Sequence, residues 1–424
     1  MVQLPDESRL QFKFPSGLRN FSLAMIGIGV VLMSYHIIAP WHSAPLEAGK
    51  HAAGDHGHHD PSRLFYSLHL ALMVVLPMAA CALFFLFFNH LSGAAWSVTI
   101  RRIAENYVWY LIFCLVLMAL IFFGGFGDVF HHWVHAPADD ALVNLKKPWL
   151  NAPFFIGRNL IIMVMWIAFG FLLYNLSVSQ DSNGDVGKTR QMVRVSAIGG
   201  VLFALTFSSS AWDLSMSLEP HWFSTMWAVY IFAGGCLMLY ASMILWIWYL
   251  KRNGYYGETL NENHIHDLSK FMFGHTVFWG YIAVSQFMLI WYAHIPEETI
   301  FYALRGGNSW AEGIPFWAWV SIVLVVLRFF LPFMLLLQRE PKRDINYMAK
   351  ISVLIIVGQI VDMYWVLYPT LTKKFKFDHY VLADLGPVLI AIGAFILIVG
   401  MGLSRSSLIP RKDPRLEECL HFHQ

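Results

Sequence analysis

Charged residues are scarce in this sequence. Asp, Glu, Lys and Arg make up only 13% of its 424 residues, whereas 57% are hydrophobic. A typical soluble domain carries about 25% charged residues, so this composition excludes a soluble globular protein and leaves little chain for a soluble domain. The formal net charge is only +2, and we therefore expect no nucleic acid as a partner.

Cysteine is also rare. Only four cysteines occur, and they form neither a C-x-x-C nor a C-x-x-C-H motif, so the sequence predicts no iron–sulfur cluster and no c-type haem in this chain. The histidines within apolar stretches lack the repeat spacing of a di-haem cytochrome b; they are His36, His69, His275 and His294. We expect this chain to hold no metal and no cofactor of its own, and any redox centre to belong to another chain.

Long apolar runs are what the sequence does have. Ten of them are long enough to cross a hydrocarbon core of about 30 Å as helices. They cover residues 20–39, 64–89, 107–127, 156–177, 193–211, 223–250, 269–292, 315–337, 348–369 and 382–404. The segment before the first run lacks the pattern of a cleaved signal peptide, so we expect the first helix to be retained.

Lys and Arg are distributed unevenly between the two sides of this predicted bundle. The side that carries both termini has 19 of them, whereas the opposite loops have 9. Cytoplasmic loops of membrane proteins carry an excess of these residues. The distribution therefore predicts that both termini are cytoplasmic and that the odd-numbered loops are outer.

A short motif occurs twice, near the ends of the fifth and ninth runs. D-x4-L-x-P begins at Asp213 and again at Asp362. The repeat predicts an all-α membrane protein with ten transmembrane helices, arranged as two parallel-repeat four-helix bundles plus two flanking helices. The predicted parts are 1–63 (tail, first helix and His-rich outer loop), 64–222 (first bundle), 223–381 (second bundle) and 382–424 (tenth helix and cytoplasmic tail).

Ionisable and amide side chains at membrane depth are costly and usually mark function. One set forms a predicted path for protons through the second bundle, together with Asp213, the motif aspartate of the first bundle. This set comprises Asp362, Arg328, His275, Gln286, Gln359 and Asp213. A second set lies near the outer surface, where it could accept or release protons: Asp213, Glu219, His221, His294, Asp128 and Tyr364.

Several of these residues have a purely structural alternative. Asp128 is also explained as a solvated loop residue, Glu219 as a cap of the following turn, and Arg328 as one half of a structural ion pair. The His-rich segment 51–60 could hold a metal, but a flexible loop is the simpler interpretation. Gly27 with Gly29 suits close packing of helices.

Three longer strings resemble a known family. They are SLEPHWFST at 217–225, FWGYIAVSQFMLIWYAHIPEET at 278–299 and DMYWVLYP at 362–369. With the ten-helix plan, they are similar to membrane subunits of alternative complex III, a bacterial quinol:electron acceptor oxidoreductase, within the NrfD-like (polysulfide reductase-type) family. The first two strings resemble the ActF-type subunits more than the paralogous ActC-type. The resemblance covers nearly the whole chain.

The resemblance implies a respiratory complex in the bacterial inner membrane. Quinol or menaquinol would be oxidised near the periplasmic surface, and electrons would pass to an iron–sulfur subunit and then to multihaem and monohaem cytochrome c subunits. The membrane chain itself would hold no cofactor, with the ActC-type subunit and membrane lipid as neighbours. The expected function is proton transfer and assembly within this complex.

Two other functions remain as alternatives. One is direct quinol binding by the outer set of residues. The other is an independent secondary transporter, which is least favoured because broken helices should occupy corresponding places in both halves. Pro77 and Pro332, which lie within apolar runs, do not occupy corresponding places in the two halves.

Overall fold

The computed structural model describes residues 7–38, 62–307, 315–371 and 380–421. These residues form helices and no strand, and ten of the helices are long and apolar enough to cross a membrane, as the sequence predicts. In chain order they are α1 Ser16–Ile38, α2 Arg63–Leu91, α3 Ala95–Gly124, α4 Ala152–Asn183, α5 Val186–Leu218, α6 Trp227–Arg252, α7 Glu262–Ala293, α8 Phe316–Leu336, α9 Ile345–Leu371 and α10 Tyr380–Leu403. The chain is therefore a multi-pass membrane protein.

Two helices form the centre of the fold. In the apolar stretches of α2 and α6, 94% and 83% of the residues are buried, whereas in α1 only 11% are. The helices α2 and α6 pack against each other, and α2 also contacts α9 and α10. A helix that is apolar on all sides is stable only where other helices surround it or where lipid does, and here α2 takes the first of these positions.

The remaining helices pack in a regular order around this centre. In the first half of the chain, α2 packs against α3 and α5, and α4 packs against the same two helices. In the second half, α6 packs against α7 and α9, and α8 packs against those two. The helix α1 lies on the outside, against α10.

Several helices extend beyond the predicted apolar runs. The run 156–177 is part of Ala152–Asn183, and the run 193–211 is part of Val186–Leu218. Hydropathy marks only the lipid-buried part of a helix, whereas capping groups mark its ends. The Asn151 side chain accepts a hydrogen bond from Phe154 N at 3.1 Å, and Gly184, with φ +68°, ends α4 just before Asp185 caps α5.

Two glycines allow α1 and α10 to approach closely. A Cβ atom on Gly29 would lie 2.6 Å from the carbonyl oxygen of Gly386, and one on Gly386 would lie 2.6 Å from the backbone nitrogen of Met33. Small residues at such crossings let backbones come together. Gly29 therefore has the packing role that the sequence predicts, whereas a Cβ on Gly27 would meet no atom within 4 Å.

Ion pairs tie the tail to the face of the bundle that carries the two termini. The Arg101 guanidinium contacts Glu105 at 2.9 Å and Asp413 at 2.9 Å, and Arg102 contacts Asp181 at 2.8 Å. Burial opposes ionisation of Asp413, but the nearby Arg101 and Arg415 prevail and lower the pKa of its carboxyl. We call this face the terminal face and the other the opposite face.

Candidate functional site

A buried ion pair joins α8 and α9 at membrane depth. Nη2 of Arg328 lies 3.1 Å from Oδ2 of Asp362, and both side chains are at most 1% exposed. The hydroxyl of Tyr230, on α6, donates a hydrogen bond to Oδ1 of the same carboxylate. The Arg328 guanidinium also lies over the ring of Trp279, 5.0 Å from its centroid. Three helices thus supply one charged array.

The backbone of α8 is irregular where it carries Arg328. The helix changes from α to π form at Val326–Phe330 and returns to α form at Leu331–Leu336. Single π turns inside α-helices are found frequently at functional sites. Here the π turn contains the arginine that faces Asp362.

Two glycines make room for the arginine. A Cβ on Gly234 would lie 2.8 Å from Nη2 of Arg328 and 3.0 Å from Oε1 of Gln359, and a Cβ on Gly358 would lie 2.9 Å from Cδ of Arg328. Arg328 and Gln359 therefore converge on the small surface of α6. Neither amide atom of Gln359 has a hydrogen-bond partner among the described residues. The role of these glycines was not predicted, because the sequence carries no signal for it beyond their position in a helix.

A large cavity lies next to this array, between α6, α7, α8 and α9. Its volume is about 670 Å³, and its walls include Trp227, Tyr230, Trp279 and Trp365. Tyr230 connects the cavity to Asp362, because its ring lines the wall while its hydroxyl contacts the carboxylate. Ser321 accepts a hydrogen bond from Trp365 Nε1 at 2.7 Å and so fixes one wall.

A second ion pair lies at the end of the cavity toward the opposite face. Nη2 of Arg305, in the turn Ala303–Gly307, contacts Oε1 of Glu219 at 3.0 Å. Arg305 also donates to the carbonyl oxygens of Phe301, Trp365 and Val366. Glu219 therefore pairs with this arginine instead of capping the next turn.

Burial acts on both members of this pair. It raises the pKa of the Glu219 carboxyl, although the neighbouring Arg305 opposes the shift. It also lowers the pKa of the Arg305 guanidinium, against the effect of Glu219. Both shifts have the same cause, the loss of water around a charge, so proton gain by Glu219 is easier here than at an exposed position.

Asp213 lies in a different environment from Asp362. Its carboxylate accepts hydrogen bonds from Arg158 at 2.6 and 2.8 Å, from Trp149 at 3.0 Å and from Asn159 at 2.8 Å. All of these donors come from α4 or the residues just before it. The structure therefore does not bring Asp213 together with Arg328, Gln359 and Asp362, with which the sequence grouped it.

Two further members of the predicted proton path lie on α7. Gln286 lines the cavity and is only 7% exposed. His275 lies nearer the terminal face, where its Nδ1 is 3.0 Å from the carbonyl oxygen of Phe271 and its ring meets that of Tyr240 at 5.1 Å. Among the described residues, no hydrogen bond joins His275 to the Arg328 pair.

The other predicted outer residues do not form a single cluster. His221 contacts Asp140 at 2.8 Å and is 46% exposed, and Asp128 lies in the short helix Phe126–Val129. His294 ends α7 in the left-handed conformation, with φ 49°, and lines the cavity. Tyr364 donates to Asp384 at 3.4 Å, away from the cavity. Of this set, only Glu219 and His294 belong to the cavity region.

The structure also contains a buried cluster that sequence reasoning missed. The Arg63 guanidinium contacts Asp384 at 2.7 Å, and Nε2 of His36 lies 3.3 Å from the same carboxylate. The cluster joins α1, α2 and α10. Arg63 was counted as a loop residue because it directly precedes an apolar run, and its partner lies 321 residues away in the sequence.

Metal ligands are not grouped in the part of the chain that the structure describes. Within it, no set of three or more His, Cys, Asp or Glu side chains is arranged to hold a metal ion. The His-rich segment 51–60, for which metal binding was considered, lies outside the described residues.

No protein-family model matches the chain, and no curated protein matches it either.

Proposed function

We propose that this chain is a membrane subunit of a bacterial quinol:electron acceptor oxidoreductase of the alternative complex III type, and that its second half transfers protons. The observation that carries the proposal is the Tyr230–Asp362–Arg328 array, buried at membrane depth beside a large cavity. The three family-like strings at 217–225, 278–299 and 362–369 contribute residues to this same region.

The physical argument starts from the cost of burying these groups. An ion pair out of water contributes little net stability, because desolvation offsets the Coulomb attraction. Ionisable residues retained inside membrane spans are therefore commonly parts of ion or proton pathways. Asp362 can take up a proton through its hydrogen bond with the hydroxyl of Tyr230, a residue of the cavity wall, and Arg328 stabilises the carboxylate after the proton leaves.

Two four-helix bundles related by a repeat are part of this proposal. The order of helix pairing supports it. In α2 to α5 and in α6 to α9, the first and third helices each pack against the second and fourth helices of the same set. The two motif aspartates support it as well. Asp213 on α5 pairs with Arg158 on α4, and Asp362 on α9 pairs with Arg328 on α8. Each pair thus joins the third and fourth helices of its bundle.

The location and partners follow from the proposed assembly. We place the chain in the bacterial inner membrane with both termini cytoplasmic, since the terminal face has the excess of Lys and Arg. The opposite face then points to the periplasm, where an iron–sulfur subunit and multihaem and monohaem cytochrome c subunits would dock. The ActC-type subunit would lie beside this chain in the membrane.

Purification of the tagged chain in mild detergent tests the assembly. The expected result is an iron–sulfur protein and c-type haem in the same particle, with quinol:cytochrome c activity. A colourless chain without redox partners would contradict the proposal and favour a transporter.

Substitution of Asp362 tests the proton path within that particle. Asp362→Asn should lower proton release per quinol oxidised, because an amide cannot exchange the proton. Asp139→Asn is a matched control, since it makes the same change at an exposed position in a turn, outside the cavity. Equal proton release in the wild type and in Asp362→Asn would refute the role of this residue.

A further inference from the structure

We infer that an anionic phospholipid binds in an apolar groove between α1, α6, α9 and α10, on the side of the terminal face. One acyl chain fills the groove, and the phosphate lies among cations at its mouth. The groove shares no lining residue with the cavity beside Asp362. The inference therefore does not depend on the proposed function.

The groove lies between two pairs of helices. The helix α1 packs against α10, and α6 packs against α9, whereas α2 contacts all four. Among the described residues, neither helix of one pair packs extensively against a helix of the other. The two pairs therefore form the sides of the groove, and α2 forms its floor through Val75 and Met78.

The groove extends through about half of the membrane. Its wall on α6 includes residues from Met238 to Tyr249, a length of about 16 Å at a rise of about 1.5 Å per residue. One leaflet of a hydrocarbon core of about 30 Å is about 15 Å thick. Because α6 ends at Arg252 on the terminal face, the groove occupies the leaflet next to that face. Its length matches the depth of one acyl chain.

The walls of the groove suit hydrocarbon. The Ser242 hydroxyl, in one wall, lies 2.8 Å from the Tyr107 hydroxyl and donates to the carbonyl oxygen of Leu239 at 2.8 Å. Nε1 of Trp248 donates to Asn346 at 3.0 Å. These polar atoms are already used within the protein. The volume is about 240 Å³, below the range of about 300–1,000 Å³ common for small organic ligands, so a single slim chain fits better than a ring system.

The groove is open to the bilayer. Phe21, which lines it from α1, is 56% exposed. Three other lining residues are half-buried: Leu245, Ile356 and Ile396. Apolar side chains that are exposed at membrane depth contact hydrocarbon. An acyl chain can therefore enter the groove sideways, without passing through the protein.

Two arginines lie at the mouth of the groove. The Arg252 guanidinium is 5.4 Å from the ring centroid of Trp248, a lining residue. On the other side, Arg19 directly follows Leu18, which lines the groove from α1. Both arginines are exposed, and neither forms an ion pair among the described residues. Their charges are therefore available to a phosphate.

A third cation comes from the segment before α1. The Phe12 ring lies 6.4 Å from the ring of Trp246 in the groove wall, and the next residue, Lys13, is exposed. On the side of α9, the Asp344 carboxylate accepts a hydrogen bond from the backbone nitrogen of Asn346 at 2.9 Å and so caps that helix. The mouth of the groove thus has an excess of positive charge.

This charge selects among lipids. A zwitterionic phospholipid has the same acyl chains but no net charge, whereas phosphatidylglycerol and cardiolipin are anionic. Clusters of Lys and Arg at the membrane surface attract anionic head groups, and basic pockets between transmembrane helices bind them. An anionic phospholipid therefore matches both the apolar groove and its mouth.

Binding is measured by native mass spectrometry of the full chain, delipidated in detergent and titrated with phosphatidylglycerol or with phosphatidylcholine of the same acyl chains. Arg252→Gln removes one cation from the mouth. Arg405→Gln is its matched control, since Arg405 is also exposed and lies 4.3 Å from the ring centroid of Trp109, which does not line the groove.

A second pair of variants tests the groove itself. Ile392→Trp fills it from α10, and Ile398→Trp makes the same change at a half-buried position of that helix outside the groove. Phosphatidylglycerol with a diazirine at the end of one acyl chain locates the bound lipid. Thermal unfolding midpoints and size-exclusion profiles identify the variants that are folded.

The expected results separate the head group from the chain. Phosphatidylglycerol should bind the wild type at least about tenfold more tightly than phosphatidylcholine, and Arg252→Gln should weaken its binding about fivefold. Ile392→Trp should abolish saturable binding of both lipids. Arg405→Gln and Ile398→Trp should bind as the wild type does. The photolabel should modify residues in 238–249 or 392–396.

Two results would overturn the inference. Equal affinity of the wild type for the two lipids would show that the mouth does not recognise an anionic head group. Labelling only elsewhere in the chain, with Arg252→Gln binding as tightly as the wild type, would place the lipid at another site. Arg252 is exposed, so this comparison stands even where Ile392→Trp does not fold.

Discussion

Arg328 and Asp362 face each other across α8 and α9, with 3.1 Å between Nη2 and Oδ2 and almost no exposure of either side chain. Removal of one member of such a buried pair costs about 3–5 kcal/mol, whereas replacement of both by apolar residues is often neutral. We expect Asp362→Leu to lower the unfolding midpoint in detergent, and the double variant Arg328→Met/Asp362→Leu to recover most of it.

Proton release separates stability from function in that experiment. The double variant should assemble and yet release fewer protons per turnover than the wild type, because the exchangeable carboxyl is absent. Recovery of both the midpoint and full proton release would show that the pair is only a structural tie.

Asp213 should act mainly on stability. Asp213→Ala leaves the mostly buried Arg158 without its carboxylate and removes the acceptor used by Trp149 and Asn159. We expect a loss of about 3–5 kcal/mol in the free energy of unfolding, with proton release per assembled complex unchanged. Thermal unfolding followed by circular dichroism measures the first, and the second uses the purified complex. A fold as stable as the wild type with impaired proton release would reverse this assignment.

Glu219 should give the protein a specific dependence on pH. Its pKa in the folded chain is raised by burial. Its contribution to stability is therefore complete below the pKa of an unfolded Glu, about 4.3, and is lost as the pH rises through the raised value. The difference in unfolding midpoint between the wild type and Glu219→Gln should fall as the pH increases above that point. A difference that grows with pH would contradict the burial of this carboxyl.

The crossing of α1 and α10 can be tested with two glycines on one helix. Gly29→Leu would place a side chain where even a Cβ meets Gly386 and Ile390 within 2.7 Å, whereas Gly27→Leu would meet open space. We expect Gly29→Leu to separate α1 from α10 and to increase proteolysis of the N-terminal segment. Gly27→Leu should resemble the wild type. Equal proteolysis of the two variants would show that this crossing is not tight.

The spans could be predicted from the sequence because hydrocarbon thickness fixes the length of an apolar run, and all ten were found. The partners of the charged residues could not. Arg158 is the seventh residue of α4 and lies within the predicted run 156–177, and only packing shows that it reaches Asp213. Arg328 was predicted at membrane depth and as one half of a possible ion pair, but the sequence did not identify its carboxylate partner.

The candidate site, like the fold, could be predicted from the sequence only in part. Gln286 and Glu219 stand out as polar residues in or beside apolar runs, and the structure places both near the cavity. The cavity itself lies between four helices, α6 to α9, one of which contains the π turn at Val326–Phe330. No local pattern of residue types predicts how these helices pack around it.

The pairing of Arg63 with Asp384 has a consequence for how the protein is made. Arg63 begins α2, and its partner belongs to α10, 321 residues later. During translation, α2 is therefore made long before the carboxylate with which its arginine pairs. A chain that stopped before α10 would carry, at the start of its central helix, an arginine without its native carboxylate.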